Sequence, residues 1–130
     1  MLALAGRVLI AALFVTSGIW GSTHFAGTAA YFSKVEFPVG TPSPEVMAGI
    51  AILIEFAGGM LLLVGWRTRW VAWLLVLFVA IATVLGHRFW QVDAAEFFNQ
   101  MNHFLKNLAL IGGLLYIATF GAGRYSIDKA

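Results

Sequence analysis

The residues with the clearest capacity for chemistry are polar groups set inside long apolar runs. Glu55 is the one acid deep within such a run, where an ionised carboxylate is costly unless it is protonated or has polar partners. An acid at this depth usually faces the interior of a helical bundle or a wet cavity instead of lipid. We therefore expect Glu55 to mark the centre of a ligand-binding pocket. A hydrogen-bonded link between helices, without chemistry, is an equal alternative.

Other polar side chains lie towards the same side of the neighbouring apolar runs and are expected to share the pocket. Helical side chains lean towards the N-terminus of their helix, so Glu55 leans outward and His87 leans inward, and these two should approach each other. Lys106 should extend outward to the membrane surface. The candidate ligand-binding residues are Ser17, Glu55, Thr83, His87, Trp90, His103, Lys106 and Asn107.

Such a pocket suits a small amphipathic ligand such as a quinone headgroup. The chain has no cysteine, which excludes thiol chemistry and thiolate-bound metals. A haem between histidines, or a metal held by Glu55, His87 and His103, is disfavoured because no Glu-x-x-His or His-x3-His spacing is present. We therefore predict no metal site. The aromatic pair Phe89-Trp90 is typical of an interfacial belt, with a platform for a quinone ring as the alternative.

The elements that must position these residues are membrane-spanning helices. The 130 residues are 61% hydrophobic and only 11% charged, with a mean hydropathy of +0.88, so large apolar surfaces must face lipid. We expect an all-α integral membrane four-helix bundle, a single domain over 1–130, with interfacial helix and loop segments on its outer face. The expected spans are 4–21, 44–64, 69–87 and 104–120. Arg7 and the lack of a small-x-small site before Trp20 indicate that the first run is not a cleaved signal peptide.

Local signals predict several helix ends. Ser43-Pro44-Glu45 is a typical helix start and Gly65 a typical stop, while Asp93 with Glu96 predicts a fourth helix that begins near Ala94, outside the hydrocarbon. The segment 22–44 is expected to form a short helix and loop at the interface. A stripe of small residues on the face of Glu55 indicates close helix contact, and its members are Ala48, Ala51, Gly58 and Gly59. Gly58 and Gly59, and Gly112 and Gly113 in the last span, should not tolerate leucine.

The basic residues predict the orientation in the membrane. One side carries Arg7, Arg67, Arg69, Arg124 and Lys129, and the other carries Lys34, Arg88 and Lys106. Since short cytoplasmic flanks are enriched in lysine and arginine, both termini are expected in the cytoplasm, with the aromatic loops on the outer face.

Several sequence blocks resemble the DoxX family of bacterial four-helix inner-membrane proteins, over almost the whole chain. The blocks are Gly6-Arg7-Val8-Leu9, Ser17-Gly18-Ile19, Phe25-Ala26-Gly27-Thr28-Ala29-Ala30-Tyr31, Glu55-x-x-Gly58-Gly59, Gly65-Trp66-Arg67-Thr68-Arg69, His87-Arg88-Phe89-Trp90, His103-Phe104-Leu105-Lys106-Asn107-Leu108-Ala109-Leu110 with Gly112-Gly113, and Gly123-Arg124-Tyr125-Ser126-x-Asp128. The resemblance implies an inner-membrane protein related to a subunit of quinol oxidase and thiosulfate:quinone oxidoreductase. Members often carry a lysine after the Ser-Gly-Ile turn, where this chain has Trp20-Gly21, so no role of that lysine is transferred.

These observations favour an accessory, non-catalytic subunit of a quinone-linked redox or stress-response membrane assembly. Whether that assembly is an oxidoreductase stays open. The alternatives are an anchoring bundle without a ligand and a small-solute permease. The expected partners are the lipid bilayer, other subunits of the assembly and further copies of the chain. Nucleic acid is not expected, because the scattered charges mark loops.

Overall fold

The fold is helical throughout the computed structural model, which describes residues 1–129. Four of the helices are long and apolar enough to cross a membrane, which confirms the all-α membrane class, and residues 1–129 contain no β-strand. In chain order the elements are α1 (Leu2–Thr23), α2 (Phe25–Lys34), α3 (Pro44–Val64), α4 (Thr68–Gly86), a 3-10 turn (Phe89–Gln91) and α5 (Ala94–Phe120). The short helix α2 lies between the first two spans, where an interfacial helix was expected.

The helix ends predicted from short sequence patterns at Ser43, Gly65 and Asp93 are confirmed. The Ser43 hydroxyl accepts a hydrogen bond from the Val46 N–H and caps α3, whose first residue is Pro44. Gly65 ends the same helix in the left-handed conformation, at φ 72°, which glycine adopts without a steric penalty. The Asp93 carboxylate accepts from the Glu96 N–H and begins α5 at Ala94. Each cap is formed by residues that are close together in the chain, so it can be predicted from the sequence.

The third span differs slightly from its expected bounds of 69–87. It begins at Thr68 and ends at Gly86, and His87 has left the helix at φ −125° and ψ 55°. The His87 N–H still donates to the Thr83 carbonyl, which closes the last helical turn. The first span, expected over 4–21, is longer at both ends in α1. His24 at φ −122° separates it from α2.

Helices α1 and α3 pack backbone against backbone. A Cβ placed on Gly18 would lie 2.7 Å from the Phe56 Cβ, and one placed on Gly59 would lie 2.9 Å from the Val15 nitrogen. No real side chain is accommodated at such distances. The small-residue stripe of α3 is thus a helix contact, as expected for Gly58 and Gly59, although Gly58 faces the flexible Leu75 side chain instead of backbone.

The expectation of close contact is wrong for Gly112. Nothing lies within 4 Å of a Cβ placed there, whereas at Gly113 the Ile10 side chain is 3.0 Å away. Successive helical residues point about 100° apart, so only one of two adjacent glycines faces the neighbouring helix. Gly112 faces away from the bundle.

Both ends of the chain meet at the α3–α4 turn. Arg7 is only 2% exposed and donates hydrogen bonds to the carbonyls of Ala122 and Tyr125, beyond α5. The Asp128 carboxylate accepts from the N–H groups of Arg67 and Thr68, both at 2.7 Å, and so caps α4. These contacts hold the two termini and the turn at one end of the bundle, as an even number of spans requires.

Candidate functional site

Four of the eight predicted residues line one open cavity of about 920 Å³. Its wall receives residues from all five helices and from the segment after α4. Most of the wall is apolar. The polar side chains on it, besides the Tyr31 hydroxyl and the Trp20 indole, are Thr16, Ser17, Thr28, Glu55, His87 and Asn107.

Glu55 lies in the middle third of α3 and is partly buried on the cavity wall. The carboxylates that accept hydrogen bonds within residues 1–129 belong to Glu36, Asp93, Glu96 and Asp128. The Glu55 carboxyl is not among them, although it lies on the cavity wall. It shares this wall with Ser17, His87 and Asn107.

His87 is held by side chains of α5 at the end of the cavity opposite the chain termini. Its Nδ1 lies 3.0 Å from the Gln100 amide oxygen, and because that oxygen only accepts, Nδ1 is the donor. In the neutral ring Nε2 then remains as an acceptor. The His103 ring stacks on His87 with centroids 5.0 Å apart. His87 is thus oriented by Gln100 and His103, of which only His103 was among the predicted residues.

Thr83 and Asn107 form a link between α4 and α5. Thr83 is 1% exposed, donates from its hydroxyl to the Val79 carbonyl at 2.6 Å, and accepts from the Asn107 amide nitrogen at 3.0 Å. Asn107 lines the cavity and Thr83 does not. Thr83 therefore positions Asn107, while the amide oxygen of Asn107 stays available to the cavity.

Three further predicted residues do not line the cavity, and all of them are exposed: Trp90, His103 and Lys106. His103 contacts the site through His87. Trp90, in the 3-10 turn, packs edge-on against Phe89 and Phe104 with centroids 5.1 and 5.9 Å away. Lys106 directly precedes Asn107, and the turn of the helix between them takes Lys106 off the cavity wall.

Sequence reasoning missed the contribution of α2. Thr28 and Tyr31 are three residues apart, hence on one face of α2, and both line the cavity. A Cβ placed on Gly86 would lie 2.5 Å from the Tyr31 hydroxyl oxygen, so Tyr31 reaches across to the end of α4. Burial raises the pKa of the Tyr31 hydroxyl above its ordinary value, which keeps it a neutral donor. The three-residue spacing was visible in sequence, but the fold of α2 over the bundle was not.

A second missed contact joins the α2–α3 loop to the segment that follows α4. The Arg88 guanidinium forms an ion pair with the Glu36 carboxylate at 3.2 Å and also donates to the Glu36 carbonyl. Arg88 directly follows His87, so this contact secures the segment that carries the histidine. Among residues 1–129, no three histidine, aspartate or glutamate side chains lie close enough together to hold a metal ion.

Comparison with known proteins finds relatives over nearly the full chain. The family model described as DoxX matches residues 2–88. The chain is 39% identical to Inner membrane protein YqjF of Escherichia coli, over 97% of this chain and 88% of that protein. It is 29% identical to Inner membrane protein YphA of the same organism, over 99% and 89%. It is 28% identical to the Surfeit locus protein 4 homolog of Schizosaccharomyces pombe, over 97% of this chain but 36% of that protein. No solved structure matches the chain.

Proposed function

Because this chain belongs to the DoxX family of membrane proteins, we propose that it binds a quinone, or a similar lipid-soluble molecule, beside Glu55. It does so as an accessory subunit of a redox or stress-response assembly in the bacterial inner membrane. The names of the two Escherichia coli relatives support the inner membrane as its location.

The observation that carries the proposal is the cavity around the unpartnered Glu55 carboxyl. Ligand pockets typically have volumes of about 300 to 1,000 Å³, with a few convergent polar groups on an apolar wall. The cavity of about 920 Å³ has these properties. A quinone carbonyl accepts hydrogen bonds, for which Ser17 supplies a donor, and a quinol hydroxyl donates, for which Glu55, the Asn107 amide oxygen and the His87 Nε2 supply acceptors.

The groups on the cavity wall bind and move protons but do not carry electrons. Carboxyl, imidazole, hydroxyl and amide groups donate or accept hydrogen bonds, whereas electron transfer needs a redox centre. In our proposal a partner subunit carries out the oxidation or reduction, and this chain holds the lipid-soluble molecule in the membrane. The chain is therefore accessory and does not turn over substrate alone.

Substitution of Glu55 tests the proposal. Wild type, Glu55→Gln and Glu55→Leu would be purified in mild detergent, and the co-extracted quinones quantified by mass and absorbance spectra. We expect wild type to retain quinone and Glu55→Gln to remain folded while it loses most of the quinone. The glutamine side chain keeps the shape of the glutamate, so the fold should survive, but it cannot carry the negative charge that makes a carboxylate a strong acceptor for a quinol hydroxyl.

The same variants test the competing role as an anchoring bundle. That role predicts that Glu55→Gln behaves as wild type in quinone content and cellular phenotype, and that Glu55→Leu only lowers the unfolding temperature. This result would overturn the ligand-binding proposal. Leu53→Gln, on the exposed face of the same helix, controls for a new amide within α3.

A further inference from the structure

An apolar groove of about 240 Å³ lies between α2, α3 and α4. Apart from the Tyr31 hydroxyl, the side chains that line it are apolar, among them Val35, Met47, Ile50 and Leu77. Ile50 is 46% and Leu77 59% exposed, although both lie on spanning helices. Since the exposed apolar surface of such helices meets lipid, the groove is open to the hydrocarbon of the bilayer.

The groove and the polar cavity share a wall. Five residues line both of them: Tyr31, Phe32, Ala51, Phe78 and Ala82. One layer of side chains therefore separates the hydrocarbon-facing groove from the cavity that contains Glu55. Two of the five are alanines, one each on α3 and α4. Because their side chains are short, the shared wall is thinnest beside them.

We propose that the ligand has two parts: a polar ring that lies in the cavity beside Glu55, and a single hydrocarbon tail that crosses the shared wall into the groove. The assignment of the tail rests on the proposed binding of the ring. If each methylene occupies roughly 30 Å³, about the volume of a water molecule, the groove holds on the order of eight of them. This volume matches a segment of a single hydrocarbon chain, the remainder of which extends from the open groove into the bilayer.

The aromatic residues of the shared wall suit the junction of such a molecule. Phe32 and Phe78 line both spaces, and Tyr31 brings a hydroxyl to the point where groove and cavity meet. Tyr31 is held there by its contact with Gly86. An aromatic wall with one hydroxyl matches a ligand that changes from a polar ring to a hydrocarbon chain at this depth.

Two probes with the same ring distinguish the contribution of the tail to binding from that of the ring. One is a dimethoxy-methyl-benzoquinone without a tail, and the other is the same ring with a decyl chain. Binding of each to the purified full chain would be titrated by native mass spectrometry. Ile50→Trp fills the groove from its lipid-facing side. Leu53→Trp adds the same indole to an exposed position of α3 that lines neither space, and is the matched control. Thermal unfolding would verify that both variants are folded.

We expect wild type to bind the decyl probe more tightly than the tailless probe. Ile50→Trp should weaken the decyl probe about fivefold, close to 1 kcal/mol, and leave the tailless probe unchanged. Leu53→Trp should change neither. Equal binding of both probes, or an equal effect of Ile50→Trp on both, would overturn the tail assignment and leave the ring proposal standing. If neither probe bound wild type, the proposed function itself would fall, and the tail assignment with it.

Discussion

Glu55 occupies a depth at which an ionised carboxylate costs about 3 kcal/mol on insertion scales. In a bundle that cost is usually offset by a partner on a facing helix. Here the same cavity is lined by Ser17, His87 and Asn107, while no group of residues 1–129 donates a hydrogen bond to the carboxyl. This environment supports the proposed ligand-binding role of Glu55 over a role as a structural strut.

The Thr83–Asn107 hydrogen bond is predicted to orient Asn107 on the cavity wall and to stabilise the fold. Thr83→Val removes the hydroxyl that accepts from the Asn107 amide and leaves that amide donor without its partner. We expect a loss of about 1 kcal/mol in the free energy of unfolding, the scale of interhelical hydrogen bonds in membranes. Quinone retention should fall as well, because Asn107 is no longer oriented. Thermal unfolding in detergent and quinone content would measure the two effects.

Thr119→Val is the matched control for that substitution. The Thr119 hydroxyl also donates to the carbonyl four residues earlier, Leu115, but it is exposed and has no bond to another helix. The Thr119→Val variant should therefore keep the unfolding temperature and the quinone content of the wild type. Equal effects of the two substitutions would show that the Thr83–Asn107 bond does not matter.

A second residue-scale prediction concerns Asp128. Contact with the Thr68 side chain holds the pKa of the Asp128 carboxyl below its ordinary value of 3.8, although burial opposes this; the N–H groups of Thr68 and Arg67 and the Arg67 charge lower it further. A lowered pKa in the folded state means that the carboxylate stabilises the fold above pH 3.8 and that this contribution is lost as the pH falls through the lowered value. Acid should therefore loosen the cap on α4.

Hydrogen exchange measures this effect locally. The Arg67 and Thr68 N–H groups should be protected at neutral pH and lose protection on acidification, whereas Asp128→Asn should show weaker protection at neutral pH and a smaller change with acid. Glu45→Gln removes an exposed carboxylate at the start of α3 and should leave the two N–H groups unaffected. Full protection of both in Asp128→Asn at neutral pH would contradict the prediction.

At the scale of the elements, the α1–α3 contact predicts that leucine is tolerated at Gly112 but not at Gly59. Leucine at Gly59 would meet the Val15 backbone nitrogen at 2.9 Å, so α1 and α3 must move apart. We expect at least the ~1–3 kcal/mol typical of overpacking, and a marked loss of folded yield. Gly112→Leu meets nothing within 4 Å and should fold as wild type. Size-exclusion profiles in detergent would compare them, and normal yield for Gly59→Leu would contradict the packing.

The helices also show which parts of the molecule sequence could predict. The caps at Ser43 and Asp93 follow from residues adjacent in the chain, and each was predicted at its observed position. The choice between Gly112 and Gly113 depends on where α1 lies, which no local pattern encodes. Glu55 and His87 were predicted to share a wall from the lean of helical side chains, and they do line one cavity. Tyr31 was missed because its role depends on the fold of α2 over α3 and α4.

At the scale of the whole molecule, the structure groups the charges that decide orientation. The contacts of Arg7 and Asp128 place both termini beside the α3–α4 turn. The exposed cations Arg67, Arg69 and Arg124 therefore lie at this end. At the opposite end Arg88 is paired with Glu36. Short loops rich in lysine and arginine remain in the cytoplasm, so the end with the termini is proposed to be cytoplasmic and the α2–α3 loop to face outward.

This orientation can be tested directly because the chain has no cysteine of its own. Val39→Cys introduces one thiol in the α2–α3 loop, at a fully exposed position, and Lys129→Cys introduces one at the opposite end. A maleimide that cannot cross membranes should label Val39→Cys in intact spheroplasts, whereas Lys129→Cys should react only after the membrane is permeabilised. Unmodified chain measures the background. The reverse labelling pattern would place both termini outside. The outer end of the cavity, with His87 and Tyr31, would then face the cytoplasm, and a partner subunit that exchanges the bound molecule at that end would have to be cytoplasmic.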